Sequence, residues 1–168
     1  MTTLFAQPYD ISATGFYFRS AAEYDDNAAR AMNAYGRPVE EFEIQFIDGE
    51  GLDCQLFAAL GIHQGNIAAF FQAVKEWSDD EKIRIIIAVD EAGYGFNLGR
   101  DDPGQFEIDL YECNSLRELA IQFIDDGLFG EIPKAIACYL DYDAIARDLG
   151  VEYSETTIDG ARYVYRCS

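Results

Sequence analysis

Negative charge is threaded through this chain from end to end, and any fold it adopts must keep that charge in water. Residues 1–60 carry ten acids and three bases, residues 61–113 eleven and four, and residues 114–168 ten and five. The formal net charge is −19. An acidic tail would gather the excess at one end; here it is interleaved with apolar residues at strand and helix spacing. Carboxylates seldom bury without a partner, so they must fall on the outer faces of whatever elements form. Self-repulsion on this scale destabilises a compact state. A chain that accepts it throughout either lives with salt or uses the charge.

Core material is ample. Apolar residues make up 49% and aromatics 14% of the 168 residues, which separates the chain from acidic disordered segments. A compact body of this length has a radius of gyration of about 15 Å and so a diameter of roughly 40 Å. B-DNA of that length, with one phosphate charge per ~1.7 Å of axis, carries about 24 charges. The two charges are of the same order. A basic nucleic-acid binder is excluded, and a mimic of nucleic acid is permitted. Salt adaptation is the plainer alternative, and three lysines against nine arginines fit it too.

The pattern predicts α+β structure. Residues 4–8 and 15–19 are aromatic and apolar and read as two short strands around a polar turn. Ser20 with Glu23 forms a capping box for a helix running to about Tyr35, stopped by Gly36 and Pro38. Residues 41–46 alternate strictly, a half-buried strand with acids outward. Residues 52–60 and 66–77 read as helices. Ser78 with Glu81 is a second capping box, which tips the β-branched run 83–89 towards helix. Phe106, Ile108 and Leu110 alternate with Glu107, Asp109 and Tyr111 as a strand with an acidic outer face. Ser115 with Glu118 caps a helix ended by Gly127. Pro133 opens another helix, to about Leu140, and Asp141 caps a last one over 142–149. Asp159-Gly160 between residues 151–156 and 161–166 is a strong hairpin signal. Three modules in series are expected: an N-terminal α+β module over 1–50, a mainly helical one over 51–104 and a C-terminal α+β one over 105–168.

Catalytic and metal chemistry finds little support. There is one histidine, His63, so no two-histidine metal site exists. The four cysteines, Cys54, Cys113, Cys138 and Cys167, are too far apart to pair as zinc or redox motifs and read as reduced, mostly buried thiols of a cytoplasmic protein. Gly93-x-Gly95-x-x-x-Gly99 misses the dinucleotide spacing, and Asp101 and Asp102 stand where a phosphate would sit. Asp48-x-Glu50-x-x-Asp53 and Asp141-x-Asp143 are the best cation candidates, and neither has the full calcium loop. They read as solvated carboxylates and helix caps. No secretory signal and no membrane-length apolar run is seen. Expected are no catalytic residues, no cofactor and no metal: the chain is not an enzyme, and it contacts neither nucleic acid nor membrane.

One stretch is specific. Leu119-Ala120-Ile121-Gln122-Phe123-Ile124-Asp125-Asp126-Gly127-Leu128-Phe129-Gly130-Glu131-Ile132-Pro133 resembles the antirestriction motif of the ArdA family. Tyr139-x-Asp141-Tyr142-x-x-x-x-Arg147-Asp148-Leu149 resembles the segment that follows it. The match covers about residues 105–168 well and the first hundred loosely. The resemblance implies a non-enzymatic protein of mobile elements that mimics bent DNA, occupies the DNA-binding channel of type I restriction-modification enzymes, and is an elongated homodimer of three-domain chains. On this reading the mimicking surface is made of Glu40, Glu41, Glu43, Asp48, Asp79, Asp80, Asp101, Asp102, Glu107, Asp109, Glu112, Glu118, Asp125, Asp126, Asp141 and Asp143. Leu128, Phe129, Gly130 and Ile132 mark the motif. Gly127 to Gly130 is either a helix stop followed by a core anchor or part of an apolar dimer contact. The alternative function is an acidic adaptor or regulator binding another basic, DNA-binding protein.

Overall fold

A computed structural model describes residues 1–167. They form seven α-helices and two three-stranded antiparallel sheets. The chain divides into two compact units, Met1–Gln105 and a second that begins at Phe106.

In the first unit β1 (Thr3–Pro8) is central, flanked by β2 (Phe16–Phe18) and β3 (Phe42–Asp48). Alternation puts Leu4, Ala6, Phe18, Phe42 and Ile44 on the buried face. Against that face lie α2 (Gly51–Ala59) and α3 (Ile67–Glu76), through the ring contacts Phe46–Phe57 and Phe18–Phe71. The run 83–89 is helical: α4 (Asp79–Ile86) passes into a π-helical turn, Ile87–Glu91. Ile83, Ile85, Ile86, Ile87 and Ala88 are all buried, the pattern of a core helix apolar on most sides.

One helix is shorter than predicted. α1 (Ala21–Ala28) ends seven residues before Tyr35. It has no base in its last turn, while Asp25 and Asp26 sit against the negative end of its dipole. The Asn33 side-chain oxygen then accepts from the backbone N–H groups of Tyr35 and Arg37, each at 3.0 Å, and a bridge pairs Met32 with Pro38. Asparagine has outcompeted the helix for these amides.

In the second unit β6 (Ala161–Cys167) is central, between β4 (Ile108–Glu112) and β5 (Ser154–Ile158). Asp159 and Gly160 both adopt positive φ, 48° and 81°, as the predicted two-residue hairpin turn requires. The helices are α5 (Leu116–Asp125), α6 (Lys134–Ala137) and α7 (Tyr142–Leu149). The core is Cys113, Leu119, Phe123, Tyr153 and Val164, with Tyr111, Leu116 and Leu149 packed against it. α6 stops at Ala137, short of Leu140; it buries no side chain, so nothing holds further turns in place. Pro133 is its cap and not part of its first turn. β4 begins at Ile108, so Phe106 and Glu107 precede it.

The cysteines correct another expectation. All four are free, but only Cys113 is buried; Cys167 is intermediate, and Cys54 and Cys138 are exposed. Cys54 lies off the α2 stripe of Leu52, Asp53 and Leu56 that faces the core.

Candidate functional site

Local structure brings the acids to solvent by three routes. Strand alternation turns Glu41 and Glu43 outward while Phe42 and Ile44 point in. Helix starts gather acids because the first-turn N–H groups favour negative charge: Asp79, Asp80 and Glu81 in α4, Glu118 in α5, Asp143 in α7. Turns use the rest. Asp101 accepts from the Asn97 N–H at 2.7 Å, and Asp102 from the Gly104 N–H at 2.8 Å.

Of the 31 acids, 26 are exposed, Asp10, Glu81, Asp101 and Asp109 are intermediate, and Asp53 alone is buried. Each unit is negative in its own right: 18 acids against seven bases in residues 1–105, and 13 against five in the remainder. Few of these charges are cancelled. Asp80 pairs with Arg84 at 2.6 Å and Asp143 with Arg117 at 3.0 Å. Arg166 holds Asp109 and Glu152 and stacks over the Tyr153 ring. Asp109 thus lies on the same side of β4 as the core residue Tyr111, and the expected acidic outer face of that strand does not form as an alternating row. Glu40, Glu41, Asp48, Asp79, Glu107, Glu112, Asp125 and Asp126 make no side-chain hydrogen bond or ion pair among the described residues. They are free to take cations from outside.

The caps fix several carboxylates in place. The Ser78–Glu81 box closes as predicted, each side chain bonding the other residue's backbone. The other two differ. Glu23 accepts from the Arg19 N–H and Glu118 from the Asn114 N–H, both at 2.7 Å, one residue ahead of the cap. Ser20 and Ser115 are more extended (φ −155° and −167°, against −67° for Ser78), so the preceding amide is the one presented. Asp141 caps α7, its Oδ1 accepting from the N–H groups of Asp143 and Ala144.

The Asn114 backbone and side-chain amides hold the Glu118 carboxyl below its usual range. The Ser12 hydroxyl, the Asn33 amide and the Ser12 N–H do the same for Asp10. A depressed carboxylate contributes stability above its unfolded pKa and loses it as pH falls through the folded one. Acid unfolding of the parent should therefore steepen below pH ~4, and Glu118→Gln should remove part of that steepening. Acid titrations followed by circular dichroism check this; identical acid limbs would exclude a Glu118 contribution.

The cation candidates come apart. Asp53 turns inward to Lys82 at 2.7 Å, while Asp48 and Glu50 stay exposed. Asp141 and Asp143 are occupied by the α7 cap and by Arg117. Among the described residues no group of three or more His, Cys, Asp or Glu is placed to hold a metal. No helix of the described residues is long and apolar enough to cross a membrane. His63 is exposed, its Nδ1 accepting from the Gly65 N–H at 3.1 Å. Gly93, Gly95 and Gly99 lie in an irregular stretch, and no helix starts at Gly99.

The motif forms an exposed corner. Gly127, at φ 75°, closes α5: its N–H bonds the Ile124 carbonyl and the Leu128 N–H the Phe123 carbonyl. The chain then turns outward, leaving Leu128 61% and Phe129 56% exposed. They are not core anchors. Ile132 is half-buried and lines a hollow of about 530 Å³ with Asp125, Asp126, Leu140 and Tyr142. The sequence reading missed two things. Ile136 and Tyr139, beyond the motif in sequence, are also exposed, at 50% and 83%. Lys82 and Asp53 form a buried ion pair, signalled only by a lysine close to the apolar run Ile85 to Val89. No protein-family model matches the chain, and no curated protein matches it.

Proposed function

We propose that this chain is a non-enzymatic, DNA-mimicking inhibitor of type I restriction-modification enzymes. The observation that carries the reading is the state of its carboxylates: 30 of 31 are exposed or half-buried, and eight of the sixteen expected contact acids have no side-chain partner among the described residues. A channel evolved for regularly spaced phosphates is lined with Lys and Arg. Carboxylates held by strands, caps and turns engage those cations through charge-assisted bonds, often bidentate with Arg. The resemblance of Leu119 to Leu149 to the antirestriction segment names the target class. A mimic also spares the enzyme the several kcal/mol that bending a duplex can cost, and opposite charge speeds capture. Adding the chain to a type I enzyme in a DNA cleavage assay should stop cleavage at near-stoichiometric ratios. Full cleavage in molar excess of the chain overturns the proposal.

Two copies meet, on this reading, through the corner at Leu128 and Phe129. Phe129→Asp should keep the thermal midpoint within about 2 °C of the parent, because the side chain is exposed, and should sediment as a monomer where the parent sediments as a dimer. A folded, dimeric Phe129→Asp removes this corner from the dimer contact.

A further inference from the structure

β3 is an edge strand, paired with β1 on one side only. Its rungs to β1 fall at alternate residues: the Tyr9 N–H donates to the Glu41 carbonyl at 3.2 Å, and the register continues through Gln7 with Glu43 and Phe5 with Gln45. The backbone groups of Phe42, Ile44 and Phe46 therefore point away from the sheet. A side chain fills the first place on that edge. Gln64 Oε1 accepts from the Phe42 N–H at 2.8 Å, and Gln64 Nε2 donates to the Glu40 carbonyl at 3.1 Å. One amide thus makes the two bonds that one residue of a parallel neighbouring strand would make. Beyond Gln64, Ile44 and Phe46 have no strand neighbour on this side and no backbone bond from a turn, loop or cap among the described residues.

The chemistry around the edge selects what can join it. Residues 38–74 hold six acids and neither Lys nor Arg, and Glu40, Glu41, Glu43, Asp48 and Glu50 are exposed. Ile47, 48% exposed, offers an apolar contact on the same strand. A second copy pairing β3 with β3 would set these acids against one another, and like charges across a ladder are destabilising. We infer that the free edge of β3 takes up an extended, Lys/Arg-bearing segment of a partner protein by strand addition. Main-chain bonds from Ile44 and Phe46 hold the segment, and the flanking carboxylates choose its basic side chains. This holds whether or not the partner is a restriction enzyme.

The test uses the full chain and three capped peptides: Thr-Lys-Val-Arg-Val-Lys-Thr, and the same peptide N-methylated at its two Val or at its Lys and Arg residues. N-methylation removes donors from one edge of the peptide and leaves its charge intact. The parent peptide should bind at low salt and slow hydrogen exchange at the Ile44 and Phe46 amides. One methylated peptide should bind about as well and the other at least about tenfold more weakly, a difference of roughly 1.4 kcal/mol. Equal binding of all three would reduce the contact to charge alone and overturn the inference. So would failure of the parent peptide to bind. Protection of Ile44 and Phe46 that rises with protein concentration, without peptide, would assign the edge to a second copy instead.

Discussion

Lys82→Met should destabilise the first unit by about 3–5 kcal/mol, a large share of the about 5–15 kcal/mol that holds a whole domain folded. The Lys82 ammonium lies 2.7 Å from Asp53 Oδ1, and the two side chains are 5% and 4% exposed. The Thr2 hydroxyl donates to the other carboxylate oxygen at 3.3 Å. The cluster ties the residue before β1 to α2 and α4. Removing the ammonium leaves a buried carboxylate with the Thr2 hydroxyl as its weak donor. Swapping the partners together, Asp53→Leu with Lys82→Met, removes the charge problem and should return stability to within about 1 kcal/mol of the parent or above it. Urea unfolding of the parent, the single variant and the double variant decides the matter. A Lys82→Met change costing less than about 1 kcal/mol would mean that solvent reaches Asp53.

The second large effect is on binding and runs opposite to stability. Converting Glu40, Glu41, Asp48, Asp79, Glu107, Glu112, Asp125 and Asp126 to their amides together should weaken enzyme binding by roughly 15-fold to 10⁶-fold. An exposed ion pair contributes about 0.2–1 kcal/mol, and eight such contacts reach about 1.6–8 kcal/mol. No single change in the set should exceed about fivefold. The eightfold variant should fold at least as stably as the parent, since it sheds self-repulsion and loses no internal bond. Titrations against the enzyme, paired with thermal melts, separate the two effects. One Asp→Asn change that alone abolished inhibition would point to a single hot spot and away from distributed mimicry.

Periodicity made most elements legible. The strands at 3–8 and 42–48, the helix following Ser78 and the Asp159-Gly160 hairpin each follow from local spacing or turn chemistry that acts over a few residues. The overextended α1 shows where local reading fails, because Asn33 diverts amides that composition alone would give to a helix. The Asp53–Lys82 pair spans 29 residues, and the contact to Thr2 spans 51. No short window contains them, and a buried lysine looks like any other lysine until its partner is known. Strand alternation placed Glu43 correctly in solvent. It misplaced Asp109, because Arg166 on the neighbouring strand β6 was needed to show which way the carboxylate turns. Exposure of Leu128 and Phe129 was equally beyond local reading, since Leu-Phe after a helix stop is as compatible with a core anchor as with an open corner.

DNA mimicry is tested most directly by equilibrium competition between the chain and a DNA duplex for one type I restriction-modification enzyme, followed across a salt series. Mimicry predicts mutually exclusive binding, with the chain's affinity falling as salt rises because each contact is a screened charge pair. A ternary complex holding chain and duplex together, or no binding at any salt, would contradict it.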